Sequence, residues 1–478
     1  MRNAEWTADD LRAWLRAHRR RPRRSWSDWY ALAFAAVVLL PMIVSLAGEL
    51  RLPLLTCEAG ATCVAATGVL PFTWIAASFL AVAAVSSLLG PIATTAATAS
   101  WVLATPLDRG DLLSPGLSRI VVVGVGIGLL SGVLLWVLAG GSPLWIAACT
   151  STAVLAVLSA ALAQQGGGWH TLRAAVAIAA ASWTMLGALS LTQVVGPVLV
   201  AAVTTACAAF LAWRVAARVK VGLAGMSRFS LARHSQTRAG LAGAAAGADA
   251  GLVLDIAALN LGGTRSSRAL TTTRSGWPAL AGYEVRRLAR RSPQLLWGLP
   301  ATIVAAAFIP IHPTFGLATA CVVLVPALGL MLSSLRAVLR SRGLARALGL
   351  GRGAQVQALT VGAALAAATW IVACGLLLVV SGLPLLTASL LAWAVGASGL
   401  AGALRWVSSS SPDFSGGIVM TDAGPVPVSA LLSATAGFDV ALVTAGLLLI
   451  GTPPVLCAAL ACLALAWSFI RVSRPTRI

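Results

Sequence analysis

Long apolar runs are the feature that most constrains how this chain can fold. A helix needs roughly 20 apolar residues to cross the hydrocarbon core of a bilayer, and the chain contains twelve runs of about that kind, the seventh being the shortest. Of its 478 residues, 59% are hydrophobic and only 10% are charged, too few polar groups to cover a water-soluble core of this size. The sequence therefore predicts an all-α, polytopic membrane protein of about 12 transmembrane helices. The runs lie near residues 30–48, 69–90, 119–140, 143–163, 174–192, 195–213, 296–311, 315–335, 357–380, 383–403, 431–451 and 453–470.

The basic residues are concentrated in every second connecting segment. Arginines cluster before the first run, whereas the connections between runs 3–4, 5–6, 7–8, 9–10 and 11–12 contain no Lys or Arg. Arg51, in the connection between runs 1 and 2, is the one basic residue that departs from this alternation. Basic residues collect on the cytoplasmic side of membrane proteins. This pattern predicts a multi-pass membrane protein with both termini in the cytoplasm. The same pattern indicates that the net charge of +20 serves contact with membrane lipids and not nucleic-acid binding.

The chain is predicted to consist of two similar halves. The segment Leu107–Asp111 enters the third run, and a similar segment, Leu350–Ala354, enters the ninth at the corresponding place. A basic, amphipathic segment precedes each half. Because each half has six runs, both would have one orientation and would be related by a pseudo-twofold axis along the membrane normal. The alternative is that any two Leu- and Ala-rich segments look alike. The predicted parts are a first half (1–213), a cytoplasmic Gly/Ala-rich linker (214–275) and a second half (276–478).

Motifs for catalysis are missing from the sequence. A P-loop needs Gly-Lys-Ser/Thr, but the only lysine, Lys220, is followed by valine. No His/Glu-rich metal site or nucleophile elbow occurs. We therefore expect neither an enzyme nor a bound cofactor or metal in this chain. One carboxylate, Asp439, lies in an apolar run, where it is either a functional intramembrane group or a residue at the membrane interface.

Two of the eight cysteines differ from the rest. Six lie inside apolar runs, where cysteine usually packs as a small apolar residue. Cys57 and Cys63 lie in the only sizeable outer loop, on the oxidising side of the membrane. We predict a local disulfide between them, with two free thiols as the alternative.

The connection 104–115 carries three charges between apolar runs. Thr105, followed by Pro106 and Asp108, matches a capped helix start, and Ser114-Pro115 is predicted to end that helix. The sequence thus predicts a short, separate cytoplasmic helix; a solvated connector is the alternative. Its candidate functional residues are Pro106, Leu107, Asp108, Arg109, Asp111 and Leu112.

Another connection rich in turn-forming residues covers residues 411–427. Its Gly, Pro and Asp residues predict turns, but Phe414 and the run Ile418–Met420 are too apolar for a free loop. We expect it to fold back on the bundle or on a partner.

These features together resemble the membrane subunits of type-2 ABC exporters, with two six-span halves fused in one chain. The segment from Gly90-Pro91 through Arg109 to Leu112-Leu113 is similar to the small-Pro-x-x-Arg-x-x-Leu-Leu segment of such permeases. The pattern is also similar to that of an uncharacterised family of twelve-span bacterial permease-like proteins. The resemblance implies that Pro106–Leu113 is a coupling helix that docks in a cleft of a separate ATPase.

The same resemblance implies the partners and the direction of transport. ATP-binding cassette subunits, expected as a dimer, would supply ATP and Mg²⁺, and Arg109 would pair with a carboxylate on the ATPase while Leu107 and Leu112 fill its cleft. The second half has a weaker counterpart at Leu350 and Arg352, where Gly351 replaces Asp108 and no proline starts the helix. A major-facilitator-like secondary carrier or a non-transporting assembly factor are the alternative functions.

Overall fold

The chain is an all-α polytopic membrane protein, as the sequence predicts. The computed structural model describes residues 61–92, 94, 109–139, 142–166, 197–246, 256, 275–290, 299–309, 312–409, 418–421, 424–427 and 436–474. Eight helices in these ranges are long and apolar enough to cross a membrane. The strands in the described ranges form one short antiparallel hairpin.

The helices and strands include the described apolar runs and several shorter, more polar segments between them. In chain order they are α1 (Ala61–Leu89), α2 (Arg109–Ala139), α3 (Leu144–Gly166), α4 (Pro197–Gly222), α5 (Arg228–Ala246), α6 (Trp277–Arg290), α7 (Leu299–Phe308), α8 (Pro313–Met331), α9 (Ser333–Arg340), α10 (Arg342–Ala347), α11 (Arg352–Val380), α12 (Leu385–Ser408), β1 (Ile418–Thr421), β2 (Gly424–Pro427), α13 (Phe438–Leu449) and α14 (Pro454–Ser473).

Eight of the twelve predicted runs correspond to the eight candidate spans, which are α1 to α4, α8, α11, α12 and α14. The seventh and eleventh runs form the shorter apolar helices α7 and α13. The first and fifth runs lie outside the described residues. The described residues form two compact units, one between Trp74 and Ala239 and one comprising 57–73 and the chain from Gly240 onward.

In the first unit, α2 and α3 form a closely packed antiparallel pair. Gly124, Gly128 and Gly132 recur every fourth residue along α2. A Cβ atom at Gly128 would lie 2.5 Å from the Thr150 Cα, and one at Gly132 would lie 2.6 Å from the Ile146 Cα. Small residues at this spacing let two helix backbones approach, which is a common basis of helix association in membranes. On the same helix, Ser131 accepts a hydrogen bond from Trp74 Nε1 (3.0 Å) and bonds Ser78 (2.8 Å).

The first part of the predicted linker is helical. α4 continues to Gly222, and α5 covers Arg228–Ala246 although the segment is rich in Gly and Ala. Arg238 holds α5 in place, because its guanidinium donates to the carbonyl of Leu89, the last residue of α1 (2.9 Å), and to that of Pro91 just beyond it (3.2 Å). The last carbonyls of a helix have no partner within the helix, so a basic side chain can satisfy them.

His234 lies beside Arg238 in this contact. Its Nδ1 bonds the Ser230 carbonyl at 2.6 Å. Burial lowers the pKa of His234, and the neighbouring Arg233 and Arg238 cations lower it further, against the opposing effect of the Ser230 carbonyl. Both effects favour the neutral form of the side chain in the folded protein.

We expect acidification to weaken this contact. Because the unfolded chain binds a proton at His234 near its ordinary pKa of about 6.5 and the folded chain resists it, unfolding becomes easier as the pH falls through that value. The melting temperature in detergent, measured from pH 5 to 8, should therefore rise with pH, and His234→Asn should reduce the slope. An identical slope in the variant would contradict this assignment.

In the second unit, α12 is the central helix. It packs against α8, α11, α13 and α14, and its inner residues are mostly Ala and Gly. A Cβ at Gly399 would lie 2.7 Å from the Leu324 Cβ of α8. Small side chains therefore let the surrounding helices approach α12.

The basic amphipathic segment before the second half forms helix α6, as predicted. Ala281 and Leu288 are buried and Leu280 packs against the core, whereas Trp277 is 51% exposed. The Leu288 side chain fills the notch left by Gly362 on α11, where a Cβ atom would overlap it. α6 thus packs along α11 through its apolar face.

The segment 411–427 ends in the hairpin β1–β2, which the sequence did not predict. Ile418 pairs with Pro427 and Thr421 with Gly424. Phe414 lies outside the described residues.

Candidate functional site

Seven arginines among the described residues of the second unit lie at one end of its helices. α8 ends and α11 begins at this end, which also contains the last turns of α12 and α14. The opposite connections, 381–384 and 450–453, contain no basic residue. We call the arginine-bearing end the basic end, and its residues are Arg336, Arg340, Arg342, Arg346, Arg352, Arg405 and Arg471.

The predicted stop at Ser114-Pro115 is wrong. α2 runs without interruption from Arg109 through Pro115 to Ala139. Pro115 has no N–H to donate to the Asp111 carbonyl, but the Ser114 hydroxyl donates to that carbonyl at 2.9 Å. The neighbouring side chain thus replaces the lost hydrogen bond, and the helix continues. Residues 109–113 are therefore the first turns of a span and not a separate helix; Pro106, Leu107 and Asp108 lie outside the described residues.

The leucines of this segment face their own bundle. Leu113 is buried in a cluster with Ile92, Leu223 and Leu231, and Leu112 packs partly against the same cluster. The prediction that Leu112 fills a partner's cleft is therefore not supported by its packing. Arg109 is half-buried and Asp111 is exposed at the helix start.

In the second unit, two short helices precede the corresponding span, and sequence reasoning missed both. α9 covers Ser333–Arg340 and α10 covers Arg342–Ala347. The Ser341 hydroxyl caps α10 by accepting from the Leu344 N–H (3.3 Å), and Gly349 follows the helix with φ of +61°. A serine start and a glycine stop were visible in the sequence. None of the α10 residues is buried.

The predicted second-half residues are bound within their own unit. Arg352 Nε donates to the Val472 carbonyl in the last turn of α14 (3.0 Å), an arrangement that satisfies a helix C-terminus. Leu350 is half-buried. The N-cap position of α11 is Gly351, which has no side chain that could cap the helix.

Asp439 lies in the first turn of α13, with its side chain 48% exposed. One carboxylate oxygen accepts from the Gly437 and Val440 N–H groups at 3.0 and 2.9 Å. The other is 2.7 Å from the Arg405 guanidinium on α12. These contacts cap α13 and attach it to α12, so they favour the interface alternative for Asp439 over an intramembrane functional role.

A buried ionic network ties α6 to the junction of α8 and α9. Glu284 is 0% exposed, and its carboxylate receives two hydrogen bonds from Arg287 (2.9 and 2.5 Å) and one from Ser334 (2.6 Å). Arg287 also donates to the Ser333 hydroxyl and to the Met331 carbonyl, both at 3.2 Å. Each of these five bonds involves a charged donor or acceptor, which makes them stronger than bonds between neutral groups.

The network forms one wall of an open cleft of about 500 Å³ at the basic end, which we call the α6–α9 cleft. Arginines and serines from α6 and α9 form its polar part, and leucines from α10 and α11 contribute to its apolar part. The lining residues are Leu280, Tyr283, Glu284, Arg287, Ser333, Ser334, Arg336, Ala337, Val338, Arg340, Leu344, Leu348 and Leu359.

The cysteines give no second chemical site. Cys149, Cys321, Cys374 and Cys457 are buried, and Cys207 and Cys462 are exposed on candidate spans. Cys63 lies in the first turn of α1, before the candidate span Leu70–Leu89, and its predicted partner Cys57 lies outside the described residues. Within the described ranges, no group of three His, Cys, Asp or Glu residues could hold a metal ion.

Comparison with known proteins identifies a family by sequence. The sequence model of a family of unknown function (DUF6297) matches residues 63–417, which is more than half of the chain. No curated protein and no solved structure matches the chain.

Proposed function

The chain belongs to the DUF6297 family, and we propose from its helical membrane fold that it is the permease subunit of an ATP-driven exporter. In this proposal the chain forms the translocation path in a bacterial plasma membrane, with its termini in the cytoplasm. Separate ATP-binding cassette subunits bind ATP and Mg²⁺ and drive it. The chain itself carries out no catalysis.

The observation that supports this proposal best is helix α10. It lies between the spans α8 and α11, where the exporter resemblance expects a coupling helix. Arg342 and Arg346 are exposed, and the Leu344 side chain between them is 43% exposed. A short, capped helix with two cations around one apolar residue suits a partner surface that has an apolar cleft with an acidic rim.

The packing around Arg109 and Arg352, the two predicted coupling segments, changes which residues the proposal assigns to coupling. Arg352 is bound to its own bundle, so α10 takes its place in the second half. In the first half, Arg109 at the start of α2 remains the candidate contact, together with the preceding residues 106–108. Coupling in that half would therefore transmit force directly into a span.

Charge reversal on α10 tests the proposal. We expect Arg342→Glu/Arg346→Glu to leave the protein inserted and folded but to reduce ATPase recovered with the tagged chain at least about tenfold, because like charges would meet across the contact. The measurement is vanadate-sensitive ATP hydrolysis in complexes purified after co-expression with the neighbouring genes.

A matched variant controls for the change in charge. Arg286→Glu/Arg474→Glu reverses two other exposed arginines of the same unit and so alters the positive-inside balance equally. It should retain ATPase recovery. Equal recovery in both double variants, or no ATPase with the unmodified chain, would refute the coupling role of α10.

A further inference from the structure

The last turns of α4 carry cations without counter-ions. Arg214, Arg218 and Lys220 are exposed, and within the described part of the chain none of their side chains forms an ion pair or a hydrogen bond. The sequences of α4 and of the following helix α5 contain no Asp or Glu. This end of α4 therefore holds uncompensated positive charge at the surface of the first unit.

The cations continue the apolar side of α4. Phe210, Arg214 and Arg218 follow one another at intervals of four residues, so they share one side of the helix. Val203 and Val221 lie on the same side, seven residues before Phe210 and seven after Arg214, and both are exposed. Because α4 is long and apolar enough to span a membrane, this exposed apolar side faces the acyl chains of lipids. The arginines therefore point toward the lipids next to the helix.

The length of α4 places these cations at the level of the headgroups. α4 begins at Pro197, and the roughly 20 residues that cross the hydrocarbon end just before Arg218. Lys220 lies beyond that boundary, and Arg214 lies within about one turn of it, from where its long side chain can reach the interface. Trp213, which is 65% exposed, lies at the same level, as tryptophans at membrane interfaces do.

The turn after α4 adds a fourth cation to this end. Leu223 and Met226 in the turn are buried in the core of the first unit, so the chain folds back directly after the span. Arg228 then begins α5 at an exposed position. Clusters of four or more basic residues beside a span are typical of binding to anionic lipids. We call this cluster the α4–α5 corner; its residues are Arg214, Arg218, Lys220 and Arg228.

We propose that the α4–α5 corner binds the headgroups of anionic phospholipids, with phosphates at Arg214 and Arg218 and acyl chains along Phe210 and Val203. Lys220 and Arg228 add to the positive potential that attracts the headgroups. An acidic protein surface would leave the apolar side that leads into the arginines without a partner. The site does not depend on the exporter proposal, because it requires only a membrane that contains anionic lipid.

The test is a thermal-unfolding titration of the full-length chain in detergent. Phosphatidylglycerol should raise the melting temperature more than phosphatidylcholine does, because only the first carries a net negative charge. In Arg214→Gln/Arg218→Gln/Lys220→Gln, the phosphatidylglycerol concentration for half the effect should rise at least about tenfold. All three positions are exposed, so we expect the variant to fold.

Arg286→Gln/Arg342→Gln/Arg346→Gln is the matched control, because it removes three exposed arginines of the second unit. It should respond to phosphatidylglycerol like the unmodified chain. An equal response of the unmodified chain to both lipids, or an equal phosphatidylglycerol response in the two triple variants, would overturn the proposal. Stabilisation to the same extent by inorganic phosphate or by polyglutamate would also refute it, because neither ligand contacts the apolar side of α4.

Discussion

Replacing Gly128 by leucine is expected to separate α2 from α3 and to remove most of the folded protein. A Cβ atom at this position would lie 2.5 Å from the Thr150 Cα and 2.9 Å from the Cys149 carbonyl oxygen, and both are backbone atoms that cannot rotate away. Inserting side chains into a packed site usually costs about 1–3 kcal/mol. We expect the upper end of that range or more, because two backbones must part. Loss of the monomer peak in size-exclusion chromatography measures the effect.

Gly126 provides a control on the same helix. It is exposed, and a Cβ atom there would meet nothing within 4 Å. Gly126→Leu changes the apolar character and helix propensity of α2 as Gly128→Leu does, but it places the side chain on the open face. We expect an unchanged monomer peak and melting temperature. If both variants lose folded protein to a similar degree, the glycines act through the helix propensity and apolar character of α2 and not through its packing against α3.

Much of the fold could be predicted because bilayer thickness dictates the length of a span. The runs that became α8, α11 and α12 needed no tertiary information, since apolar length alone specifies them. The spacing of Gly124, Gly128 and Gly132 is also visible in the sequence and indicates a close helix contact. Which helix makes that contact is a tertiary property, and the pairing with α3 came from the structure.

The stop predicted at Pro115 failed for a local reason. Proline usually ends or kinks a helix because it removes one hydrogen bond. Here the preceding serine supplies the missing donor to the Asp111 carbonyl. The predicted separate coupling helix depended on that stop, and residues 109–113 instead form the first turns of a span.

The candidate site was harder to predict because its residues come from separate segments. Glu284 lies on the same helical face as Leu280, Ala281 and Leu288, and a carboxylate in that register indicates a buried partner. Arg287, three residues later, is one candidate for that buried partner. The contribution of Ser334 depends on the turn between α8 and α9, which no periodicity in the sequence specifies.

Removing the Glu284 carboxylate is expected to destabilise the second unit strongly. Glu284→Leu would leave Arg287, whose side chain is only 12% exposed, without its counter-charge. Breaking a buried ion pair by removing one partner typically costs about 3–5 kcal/mol. The loss should appear as unfolding at a lower fraction of dodecyl sulphate in mixed micelles, followed by tryptophan fluorescence. Arg286→Leu, at the exposed neighbouring position, should change stability by less than about 0.5 kcal/mol.

Removing both charges should cost less than removing the carboxylate alone. In Glu284→Leu/Arg287→Leu this pair leaves no buried charge. The loss reduces to the bonds that Arg287 makes with Ser333 and the Met331 carbonyl and the bond that Ser334 makes with Glu284, each worth about 1 kcal/mol. The double variant should therefore be more stable than Glu284→Leu, which a double-mutant cycle measures directly. If it is instead the least stable of the three variants, α6 is held by the shape of these side chains and not by the pairing of their charges.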